Sequence, residues 1–174
     1  MGKYDVLNFH KWIDENRDKL KPPVANKMIW EDRDFIVMVV GGPNSRTDYH
    51  VNQDEEFFYQ IEGEMCLKII DDEGKFRDIP IKAGEIYLLP AGVPHSPQRM
   101  ENSVGLVVEH KRPEDMEDKL QWYCSECGNK LFEEAFHLKN IETAFGPLYD
   151  KFFGNEELRT CDKCGTIHPD MRKK

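Results

Sequence analysis

Between residues 28 and 110 the sequence breaks into short apolar or alternating runs: "FIVMVVG", "EEFFYQIEG", "EMCLKIID", "FRDIPIKAG", "EIYLLP" and "VGLVVEH". Each is closed by turn residues, among them "GGPN", "DDEG", "KAG" and "PAGVP". Alternation puts successive side chains on opposite faces of a strand, and Gly/Pro/Asn/Asp clusters end it. Many short strands at this spacing predict an antiparallel all-β sandwich or barrel, with a jelly roll among its forms.

The flanks read differently. Residues 8–20, "NFHKWIDENRDKL", carry Phe9, Trp12 and Ile13 at helical spacing behind Asn8, a suitable N-cap. "KPPVAN" ends that helix. After "HKRPEDMEDKLQ" at 110–121 the composition shifts, and the remainder lies between two Cys pairs. The expected division is 1–115, a β-barrel with an N-terminal helix, and 116–174, a small metal-stapled appendage.

The 174 residues carry a net charge of −9 from 24 basic and 33 acidic residues, and the basic ones are scattered. That argues against a nucleic-acid partner, and an anionic substrate would need locally placed arginines. The N-terminus lacks an apolar signal core, and Val6 stands where myristoylation of Gly2 would want Ser or Thr. "FIVMVV" is too short to span a bilayer. A cytoplasmic protein with no membrane partner is expected.

Of five cysteines, Cys66 reads as a small buried hydrophobe. Cys124, Cys127, Cys161 and Cys164 form two Cys-x-x-Cys-Gly knuckles, the pattern of a closed tetrahedral sulfur site for zinc or iron with a structural role. His50, Glu56 and His95 form a second constellation. Two histidines and one carboxylate on adjacent strands would make a facial triad for non-heme iron(II), with positions left open for substrate and dioxygen. Taken alone, His50 and Glu56 also read as solvated turn residues and His95 as a turn cap.

Glu56 with Gly63, and Gly84, Pro90, Gly92 and His95, match the two motifs of the cupin superfamily, so the chain resembles a cupin jelly-roll barrel. Two positions depart from it: Asp48 stands where a further His ligand is usual, and Arg99 where Asn is usual. Asp48 is expected to orient Arg46 or His50, the other reading being a metal ligand. Adding "GGPNxRTDYH", "LLPxxVPHSPQR", "VVExxRP" and "LKPPVxN", the chain resembles the 3-hydroxyanthranilate 3,4-dioxygenase family over nearly its whole length. That resemblance implies ring cleavage by iron(II) and O2, giving 2-amino-3-carboxymuconate semialdehyde on the route to quinolinate and NAD (the kynurenine pathway). It places the iron on His50, Glu56 and His95 and the substrate contacts on Arg46, Glu56, Arg99 and Glu109, with Arg46 and Glu109 catalytic. It also implies a homodimer and a rubredoxin-like iron site on the four cysteines. Arginine suits a carboxylate through paired hydrogen bonds, and Glu109 could take a proton as the ring chelates. The competing readings are another metal-dependent cupin, such as a sugar-phosphate isomerase or small-acid oxygenase, and a ligand-sensing cupin without turnover.

Overall fold

Phe9, Trp12 and Ile13 do share a helix face. In the computed structural model, α1 (Phe9–Asn16) starts where the Asn8 side chain accepts a hydrogen bond from the Lys11 backbone N–H at 3.1 Å. A single 3-10 turn (Arg17–Leu20) continues it, and Ile13 and Leu20 seat on Val39 and Val104. The structure describes residues 4–22, 25–31, 33–141 and 143–173. Met1 and Gly2, and Pro23 and Val24 of the "LKPPVAN" segment, lie outside the described residues.

Among the described residues eleven strands follow: β1 (Asn26–Met28), β2 (Phe35–Gly41), β3 (Asp48–Val51), β4 (Glu56–Glu62), β5 (Glu64–Ile70), β6 (Phe76–Lys82), β7 (Ile86–Leu89), β8 (His95–Arg99), β9 (Val104–His110), β10 (Asp118–Tyr123) and β11 (Lys130–Phe136). They form two antiparallel sheets ordered β1-β2-β9-β4-β7 and β11-β10-β3-β8-β5-β6. The chain passes from one sheet to the other at seven of the ten connections between these strands, as in the jelly roll that the strand spacing predicts. Met38, Phe58, Leu67, Ile81, Leu89 and Val107 fill the space between the sheets. Alternation fixes which side chains enter: on β5, Met65, Leu67 and Ile69 point inward. Cys66 therefore falls on the outer face, half-buried rather than in the core as expected. Among the described residues, no helix is long and apolar enough to cross a membrane.

The segment after residue 115 adds β10 and β11 to the second sheet, with β10 paired to β3. Two further helices, α2 (Gly146–Gly154) and α3 (Glu156–Arg159), pack on this hairpin. Trp122 and Phe152 are fully buried and stack with ring centroids 4.4 Å apart. That stack docks α2, whose N-cap residue Phe145 reaches the barrel mouth. Phe152→Ala should cost about 3–5 kcal/mol in denaturant unfolding, the usual range for emptying a buried aromatic position. A loss below about 1 kcal/mol would mean that α2 is held by something else.

Candidate metal centre and substrate cavity

Antiparallel pairing of β3 with β8 sets His50 opposite His95, while β4 opens with Glu56 and places it opposite Glu109 on β9. All four side chains are buried, and the donor atoms of His50, Glu56 and His95 lie within 4.8 Å of one another.

The hydrogen bonds around the triad say what it can hold. His95 Nδ1 lies 3.0 Å from the Val93 carbonyl, so Nδ1 carries the proton and Nε2 a lone pair. That lone pair faces Glu56 Oε2 at 3.1 Å, and this buried oxygen has no hydrogen-bond donor. Two lone pairs at that range repel unless a cation sits between them. Two ligands at right angles, each about 2.1 Å from a metal, would be about 3.0 Å apart. His50 Nε2 lies 2.7 Å from Asp118 Oδ2, so its proton is also directed outward, leaving Nδ1 as its ligand atom. Burial pushes the His50 pKa down against the pull of Asp118, which favours the neutral, ligating ring. A divalent metal fits this donor set.

The triad lines a cleft together with Arg46, Arg99 and Glu109, walled by Phe58, Pro97, Val107 and Ile141. Arg99 is 4% exposed, and among the described residues its guanidinium hydrogen-bonds only Gln60 Oε1, at 3.3 Å. Burial lowers its pKa to about 10, against Glu56, so it stays cationic at neutral pH. A buried guanidinium without a carboxylate partner is costly. Its place is made by Gly105 on β9: a Cβ there would come within 2.5 Å of Arg99 Nη1 and 2.9 Å of Gln60 Oε1.

Asp48 turns toward Arg46, whose Nε lies 3.1 Å from both carboxylate oxygens. Its side chain is outside the converging set, so the orienting position fits and the ligand position does not. Phe145 covers the mouth, 5.3 Å from the Arg46 guanidinium and with its ring 5.4 Å from that of His50. Strand alternation alone left the direction of Glu109 open, and its register with Glu56 turns it inward. Arg112 and Asp118 carry no expected role in the sequence reading. Arg112 Nη2 meets Glu109 Oε2 at 2.6 Å, and its Nε meets Asp118 Oδ1 at 2.8 Å. Their signal was periodic: Asp118 is in phase with Leu120 and Trp122, all three at 0% exposure, so an acidic residue occupies an inward strand position.

Outside the cleft, the four cysteines converge. Cys124 and Cys164 Sγ atoms are 3.6 Å apart, as are those of Cys127 and Cys161. A tetrahedral site with bonds of about 2.3 Å would space its sulfurs about 3.8 Å apart. Each knuckle closes the same way, with Gly128 N–H donating to the Cys124 carbonyl and Gly165 N–H to that of Cys161 at 2.9 and 2.8 Å. Both glycines have positive φ, 68° and 76°.

Gly105→Ala tests the Arg99 cradle. Its strand backbone accepts alanine, so the fold should persist with triad metal content unchanged while Arg99 is displaced. Affinity for an aromatic carboxylate, read by calorimetry, should fall about tenfold or more; unchanged affinity would show that Arg99 does not need this space.

The pattern of the 3-hydroxyanthranilic acid dioxygenase family matches residues 1–153. A protein named 3-hydroxyanthranilate 3,4-dioxygenase from Xanthomonas euvesicatoria pv. vesicatoria is 58% identical over 163 residues, 94% of this chain and 92% of its own length. One of the same name from Jannaschia sp. is 54% identical over 170 residues, 97% of this chain and 94% of its own. Among solved structures, a cupin-2 domain containing protein from Shewanella frigidimarina aligns with TM-score 0.48 and 23% identity, over 60% of this chain and 94% of that one. With most of its length matched at this identity, the chain belongs to the 3-hydroxyanthranilic acid dioxygenase family.

Proposed function

We propose that the chain opens the ring of 3-hydroxyanthranilate with O2, giving 2-amino-3-carboxymuconate semialdehyde, with iron(II) on His50, Glu56 and His95. The observation that carries this reading is Arg99: a buried cation with no carboxylate hydrogen-bonded to it among the described residues, in the same cleft as a His-Glu-His triad. Such a cation calls for an anionic group on the ligand, and paired hydrogen bonds to a substrate carboxylate satisfy it.

Iron(II), when bound, supplies the redox chemistry that lets O2 react with the aminophenol ring. The residues of the chain hold and protonate. Arg99 fixes the carboxylate, which sets the ring edge bearing the amine and phenol toward the triad. Phe58, Pro97, Val107 and Ile141 exclude water from the ring face. Glu109 uses Oε2 for Arg112 and Asn52, which leaves Oε1 for the substrate. Burial and the neighbouring Glu56 push its pKa up to about 8, against Arg112, so the ionised form that can take the phenol proton grows as the pH rises toward 8. Arg46, braced by Asp48 at the cleft edge, places a fixed cation where charge develops on oxygen.

We further propose iron in the four-cysteine site, a cytoplasmic homodimer, and a product that cyclises to quinolinate, feeding NAD synthesis. Iron-loaded protein mixed with 3-hydroxyanthranilate in air should consume oxygen as substrate is lost, and zinc at the triad should abolish this because zinc has no redox chemistry. Binding without oxygen uptake would contradict the reading.

A further inference from the structure

Arg112 lies in the connection between β9 and β10, and its guanidinium joins side chains from these two strands. Nη2 meets Glu109 Oε2 at 2.6 Å and Asp118 Oδ2 at 2.9 Å; Nε meets Asp118 Oδ1 at 2.8 Å. Nη1 donates to the His110 carbonyl. Asp118 Oδ2 then takes the His50 proton at 2.7 Å. The Arg112 and Asp118 side chains are completely inaccessible to solvent, and that of Glu109 is 1% exposed. The line therefore runs without interruption from a carboxylate facing the substrate cleft to a ring facing the metal position.

An ion pair this deep gains little for stability over an apolar filling of the same shape, because desolvation offsets its attraction. Its geometry does something that an apolar filling cannot. A neutral imidazole can carry its proton on either nitrogen, and a 180° ring flip exchanges the atom aimed into the site. The Asp118 carboxylate accepts only, so it admits only a protonated Nε2 and leaves Nδ1 as the lone pair. Arg112 binds both Asp118 oxygens and so orients that carboxylate in a dry interior. By sharing Nη2 with Glu109, it holds that carboxylate in register with the same ring.

We propose that Asp118 and Arg112 are positioning residues: Asp118 fixes the tautomer and orientation of His50 for the metal, and Arg112 locks Asp118 and Glu109 into one unit. The inference rests on the metal centre of the proposed function but not on its substrate. It is read without turnover, so its failure is separate from a failure of ring cleavage.

The experiment is nitrogen-15 NMR of histidine-labelled protein with the triad empty, followed by cobalt(II) titration. Cobalt at the cysteines is told apart by its sulfur-to-metal charge-transfer band. Wild-type His50 should carry its proton on Nε2. Asp118→Asn, nearly isosteric, should release that tautomer and weaken cobalt binding at the triad about 10–100-fold. Arg112→Met should do the same. A wild-type His50 protonated on Nδ1 would overturn the proposal whether or not the variants fold. Cobalt affinity of Asp118→Asn within about twofold of wild type would overturn it as well.

Discussion

Charge inside the barrel is the constraint on which the rest of this structure depends. Asp48, Glu56, Arg99, Glu109, Arg112 and Asp118 are all buried, in a space that would otherwise be filled by aliphatic side chains. An isolated charge there is prohibitive, so each must find a counter-charge or remain a standing demand for one. Arg46 with Asp48, and Arg112 with Asp118 and Glu109, are settled within the protein. Glu56 and Arg99 are not: one buried carboxylate oxygen lacks a donor, and one guanidinium has only an amide oxygen. In the proposed function the first is answered by a metal ion and the second by an anionic ligand, which makes cation and substrate one electrostatic unit.

Strand register turns that chemistry into geometry. The pairing of His50 with His95 and of Glu56 with Glu109 draws donor atoms from both sheets to one end of the core. The four-cysteine site acts at a distance. It ties the turn after β10 to the end of α3, and so brackets α2, whose first residues carry Phe145 over Arg46 and His50. Apparent binding energies of ~10–16 kcal/mol for structural zinc in small peptides indicate how firmly such a staple can hold.

Much of this was legible in the residues. The alternating runs identified the strands, Asn8 marked the helix start, and the Gly/Pro spacing around His95 completed the triad begun by His50 and Glu56. The knuckles announced their own site. What escaped notice depended on register and connection. Glu109 could face either way until β4 paired with β9. Cys66 looked like core because its neighbours are core, yet its phase on β5 sends it outward. Arg112 and Asp118 sat in a charged stretch that resembled a linker, although the phase of Asp118 with Leu120 and Trp122 marked it as an inward acid.

The central claim is that the unpaired Arg99 guanidinium selects the ligand by its carboxylate. Anaerobic calorimetry of iron(II)-loaded protein with 3-hydroxyanthranilate and with 2-aminophenol, which lacks only that carboxylate, tests it most directly. The account predicts that 2-aminophenol binds weaker by about a hundredfold, the scale of a lost buried charge-assisted pair; equal affinities for the two would contradict it.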